Sequence, residues 1–87
     1  MLNNFLIKYV RDKKGKPFGV VVARGANLVG WSKCNKSDKW DRSVGLEIAF
    51  DRAYSSEPLL DILDIPKDMA KDFYDMIIRS RKYYKVV

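Results

Sequence analysis

The chain has 87 residues, with 17 lysines and arginines against 11 aspartates and glutamates, no histidine and a single cysteine, giving a formal charge of +6. At 47% hydrophobic and 13% aromatic residues it is too apolar to remain disordered, and it is short enough to form one domain, residues 1–87, that buries only about 60–65% of its unfolded surface. This composition excludes an internal disulfide framework, a His/Cys zinc site, a Ser-His-Asp triad and a Cys-His dyad; no run approaches the roughly 18–20 apolar residues of a membrane helix.

The first third alternates as strands do. Phe5, Ile7 and Tyr9 fall on one face and Leu6, Lys8 and Val10 on the other, in a strand over residues 4–11. Asp12-Lys13-Lys14-Gly15-Lys16 is a polar hairpin connection with one glycine. Pro17 has no N–H to give to a ladder, so it opens the next strand, residues 17–24. There Phe18, Val20 and Val22 alternate with Gly19, Val21 and Ala23. After a turn at Arg24-Gly25-Ala26-Asn27, residues 28–34 make a third strand, Val29, Trp31 and Lys33 opposing Leu28, Gly30, Ser32 and Cys34. Three strands joined by short loops imply an antiparallel meander.

After Cys34 the period changes. Asn35, Ser37 and Asp38 are competent helix caps, and Asp38 precedes helical spacing over residues 38–54. Trp40, Val44 and Ile48 share one face; Leu46, Ala49 and Ala53 lie together on another, as in a helix packed against both the sheet and a second helix. Gly45 costs about 1 kcal/mol relative to alanine in a helix interior, so it marks a close packing contact. Residues 54–64 read either as a connecting loop or as one short helical turn. From Pro66 the stripe Met69, Ala70, Phe73, Met76, Ile77, Ser80 and Tyr84 predicts a C-terminal helix over 66–84. Its acids come early and its bases late, matching the helix dipole. The expected architecture is α+β: a three-stranded antiparallel sheet covered on one face by the helices, its other face open to solvent or to a partner.

The charge is unevenly placed. Residues 1–43 carry ten basic residues and three acids; residues 44–87 carry seven and eight. Clustered positive charge is the footprint of a nucleic-acid binder, and equally a means of staying soluble. The hairpin lysines Lys13, Lys14 and Lys16 are candidates for phosphate contacts, as basic hairpins gripping DNA would supply them. In residues 30–45, Lys33, Lys36, Lys39 and Arg42 accompany Trp31 and Trp40 where strand gives way to helix. Lysine and arginine neutralise phosphates, and Trp31 is a candidate to stack on a base. The alternative is that both tryptophans pack in the core, the lysines are solvated, and Asp38 and Asp41 simply cap. Glu47, Asp51, Asp61 and Asp64 show no spacing that requires a catalytic or metal-binding role, and no cofactor is expected.

The segment Cys34-Asn35-Lys36-Ser37-Asp38-Lys39-Trp40-Asp41-Arg42-Ser43-Val44-Gly45, continued by Ile48-Ala49 and Arg52-Ala53, resembles a motif of small bacteriophage and plasmid proteins of unassigned activity. Trp40 stands where phenylalanine is more usual in that motif, and Asp51 where glycine is. The resemblance implies a mobile-element origin and no catalytic residue. Within the motif Lys36, Lys39, Arg42 and Arg52 have no evident folding duty and are the candidates for contacting a partner. The expectation is therefore a small, cytoplasmic, non-enzymatic protein of a bacterial host cell that binds DNA or RNA. A module that docks on a host protein, as a takeover or anti-defence factor, is the alternative, and a homodimer is compatible with either.

Overall fold

The computed structural model describes residues 5–34, 39–55 and 65–84. Three strands, β1 (Leu6–Arg11), β2 (Pro17–Gly25) and β3 (Leu28–Lys33), form one antiparallel sheet in the order β1-β2-β3. Two helices follow, α1 (Arg42–Ser55) and α2 (Lys67–Tyr83). The α+β class and the meander are as the sequence implies, with strand and helix ends within a few residues of expectation.

The helices do not share a face. Leu6, Val10, Val21, Ala23 and Val29 meet Met69, Phe73, Met76 and Ile77 of α2 on one side. On the other, Val20 and Val22 pack with Ala49 of α1, and Tyr9, Trp40, Leu46 and Phe50 surround them. The result is three layers, α1 over sheet over α2, and the expected open sheet face does not exist. Its physical signature lies in β2, where Val20, Val21, Val22 and Ala23 are all 0% exposed. A strand buried on both faces is continuously apolar instead of alternating.

The α1 helix begins at Arg42, later than the expected residue 38; Lys39 and Trp40 are not helical. Asp41 is the cap, its Oδ1 accepting the Val44 N–H at 3.1 Å. Asp38 lies outside the described residues. Of the two faces of α1 expected to be buried, only the one that carries Ala49 and Ala53 is. Val44 and Ile48 are 51% and 40% exposed, while Gly45, Ala49 and Ala53 face the sheet. Gly45 is indeed a close contact: Ser32 Oγ donates to its carbonyl at 2.8 Å, and a Cβ there would lie 3.1 Å from the edge of the Trp40 ring. Trp40 in turn stands edge-on to Tyr9, ring centroids 6.3 Å apart.

The α2 helix matches its predicted stripe, with Met69, Phe73, Met76, Ile77 and Ser80 buried. Its far end is fastened to the β2–β3 turn, where Asn27 adopts φ 64°. The Asn27 N–H donates to Ser80 Oγ at 3.1 Å, and its side-chain oxygen accepts from Arg81 Nε at 2.6 Å. Beside them the Tyr84 hydroxyl donates to the Ala23 carbonyl at 3.1 Å.

Burial pushes the Tyr84 hydroxyl above its ordinary value of 10.0, Tyr83 adds to the rise and the Leu6 amide opposes it. A folded-state pKa above the unfolded one gives stability that is complete below pH 10 and disappears as pH rises through the folded value. Tyr84→Phe should therefore cost about 1 kcal/mol at neutral pH. The gap between the two proteins' urea midpoints should close as pH is raised past 10. A gap that stayed constant to pH 11 would show that this hydroxyl makes no proton-dependent contribution.

Candidate nucleic-acid interface

Antiparallel pairing decides which end of the sheet each cation occupies. Arg11 pairs with Pro17 to close the β1–β2 hairpin, and Gly19 pairs with Lys33, which puts the end of β3 beside that hairpin. The Cys34 N–H extends the ladder by one bond to the Phe18 carbonyl at 2.8 Å. The Ser32–Gly45 bond brings the start of α1 to the same end. An ion pair between Lys33 Nζ and Asp68, 3.0 Å long, brings the start of α2 there too. One pole of the domain therefore collects the hairpin tip, the end of β3 and both helix N-termini.

Eight described cations belong to this pole: Arg11, Lys13, Lys14, Lys16, Lys33, Lys39, Arg42 and Lys67. Three described carboxylates accompany them, and each is engaged. Asp12 Oδ1 accepts the backbone N–H groups of Lys14 and Lys16 at 2.9 and 3.0 Å; Asp41 caps α1; Asp68 holds Lys33. The positive ends of two helix dipoles add to the field.

The tip is a constructed turn. Besides the two bonds to Asp12, the Asp12 N–H donates to the Lys16 carbonyl at 2.9 Å and the Gly15 N–H to the Asp12 carbonyl at 3.0 Å. Gly15 takes φ 85°, a left-handed conformation that a side chain would strain. Arg11 Nη1 donates to the Gly15 carbonyl at 2.9 Å. Three lysine side chains thus leave an ordered backbone, all exposed and none in an ion pair with a described carboxylate.

The nominated residues divide accordingly. Lys13, Lys14 and Lys16 come together at the tip, and Lys39 and Arg42 stand exposed at the start of α1 without a described ion-pair partner. Lys33 is paired with Asp68 and lies 5.8 Å above the Phe18 ring. Arg52 has a folding duty that the sequence reading did not find. Its Nη1 donates to the Trp31 carbonyl at 2.8 Å on the edge strand β3, and its guanidinium lies 4.5 Å from the Trp31 ring centroid. Trp31 is consequently packed between the α2-side core and Arg52, and its buried indole N–H has no hydrogen-bond partner among the described residues. The packing that the sequence offers as the alternative for Trp31 is present, and the ring is partly exposed. Lys36 lies outside the described residues.

Arg11 and Lys67 join the pole without having been nominated. Arg11 was legible as part of the basic hairpin, whereas Lys67 carried no signal, because only the three-layer packing brings the start of α2 to this end. A cleft of about 220 Å³ lies between the end of β3 and the start of α1, lined among others by Lys33, Lys39, Trp40, Asp41, Val44 and Ile48. Among the described residues no three His, Cys, Asp or Glu side chains form a group that could hold a metal ion, and no helix is long and apolar enough to cross a membrane.

No family model, no curated protein and no solved structure matches the chain.

Proposed function

We propose that this domain is a non-enzymatic nucleic-acid-binding protein that contacts phosphates through its basic pole. The observation that carries the reading is the convergence of Lys13, Lys14, Lys16, Lys39 and Arg42 on one end of the fold, all exposed and free of described ion pairs. Charges with no internal partner keep their full interaction with an external polyanion, and a polyanion binds by releasing its condensed counterions to them. The engagement of all three described carboxylates at that pole supports a binding role over an acid–base one.

The test is fluorescence anisotropy of labelled DNA and RNA across a salt series. Five phosphate contacts give a slope of log K against log salt of about −4.5 on B-DNA, so affinity should fall about 100-fold between 50 and 150 mM salt. Absence of binding at 50 mM salt, or binding indifferent to salt, would overturn the reading. A protein partner is the second reading, and the exposed Val44 and Ile48 beside the cleft favour it. Its mark is an affinity that survives moderate salt and depends on an apolar anchor.

A further inference from the structure

We infer that the nucleic acid taken by this pole is a duplex gripped through its phosphates, and not a single strand held by base stacking. The inference rests on the nucleic-acid reading above and concerns which aromatic rings remain free. Proteins that bind single strands without sequence preference combine a basic groove with exposed rings on which successive bases stack, each worth about 1–3 kcal/mol.

No described ring near the basic pole is exposed; each is partly buried and has a contact within the protein. Phe18 is packed against the core with the Lys33 ammonium over it. Trp31 lies against the core and under Arg52. Trp40 is perpendicular to Tyr9 and touches Gly45 with the edge of its six-membered ring. Among the described side chains the two exposed rings, Tyr74 and Tyr83 at 47% and 51%, are on α2, and Tyr83 is at the end of that helix away from the pole. Residues 1–4, 35–38, 56–64 and 85–87 contain no aromatic residue at all, so no ring outside the described residues can supply the missing platform. Tyr54 belongs to the last turn of α1, again at the opposite end.

The free cations are also divided between layers. Lys13, Lys14 and Lys16 extend the sheet layer, while Lys39 and Arg42 stand at the start of the α1 layer. Engaging both sets at once requires phosphates presented along a stiff, dense array. A duplex offers one charge per roughly 1.7 Å of its axis, from two strands in fixed relation. A flexible single strand would have to be ordered to match, with no stacking to offset the entropy. Phosphate contacts do not distinguish deoxyribose from ribose, so both kinds of duplex are included as arms of the test.

The experiment titrates the full chain at 75 mM salt against a DNA duplex, an RNA duplex and an oligo-dT single strand matched to them in total phosphate number, following anisotropy and intrinsic tryptophan fluorescence together. At least one duplex should bind about ten-fold more tightly than oligo-dT, and the single strand should leave the tryptophan emission unchanged. Equal or tighter binding of oligo-dT, with or without tryptophan quenching, would overturn the duplex inference while leaving the nucleic-acid reading intact. Absence of binding to all three probes, in this titration and at 50 mM salt, would overturn the reading itself and the inference with it.

Discussion

Gly30→Ala should separate α1 from the sheet and leave the domain at the margin of folding. Gly30 lies on β3 opposite Val22, and a Cβ there would overlap the Ala49 carbonyl oxygen and the Ala53 nitrogen and come within 3.0 Å of the Ala53 Cα. These are all backbone atoms of α1, so no side-chain rotation relieves the clash. The helix would have to lift as a body. Lifting it would uncover Val20 and Val22, both 0% exposed, and break the Ser32–Gly45 bond. Overpacking of this kind, with no flexible neighbour to yield, costs about 3 kcal/mol or more. A chain of this length has only about 4–13 kcal/mol in total. The expected result is a large fall in the urea midpoint together with loss of the near-ultraviolet circular dichroism of Trp40, whose ring depends on the Gly45 and Tyr9 contacts. An unchanged midpoint would mean that α1 does not approach β3 this closely.

The same contact explains why part of the fold was readable and part was not. Alternation in β1 and β3 and the Met69–Phe73–Met76–Ile77–Ser80 stripe of α2 are strong periodic signals, and they appear in the structure as the sequence implies. In α1 apolar spacing marks two faces, Trp40–Val44–Ile48 and Leu46–Ala49–Ala53, and only the second docks on the sheet. The surface that docks is Gly45–Ala49–Ala53, made of small residues that contribute little to a hydropathy pattern and act by letting backbones meet at Gly30. The two-sided sheet was written in Val20-Val21-Val22-Ala23, but a short apolar run does not by itself say which elements cover it. For the site, the sequence showed the excess of cations in the first half and the basic hairpin. It did not show which cations are engaged, because the partners are remote: Asp68 is 35 residues from Lys33, and Trp31 is 21 residues from Arg52. Nor did it show that both helices start at the hairpin end, which is a property of the topology.

If the basic pole is the binding surface, where a charge is removed should matter more than how many are removed. Two triple variants make the comparison at equal net charge: Lys13, Lys14 and Lys16 to alanine at the tip, and Lys71, Arg79 and Lys82 to alanine on α2. All six residues are exposed and none has an ion pair with a described carboxylate, so both variants should keep the fold, with urea midpoints close to the parent's. The tip backbone is held by Asp12 and by Arg11, not by the lysine side chains, so its geometry also survives. Loss of three phosphate contacts lowers the salt slope by about 2.7, and the associated counterion release corresponds to about 100-fold in affinity for B-DNA at 0.15 M salt. The α2 variant removes two charges at the far end of that helix and one, Lys71, a turn beyond Lys67, and should lose about ten-fold or less, mainly through the long-range field that salt screens within roughly 8 Å. Equal losses from the two variants would show that net charge alone draws the polyanion to the protein. A larger loss from the α2 variant would move the interface to the exposed face that Tyr74 and Ile78 share with those cations.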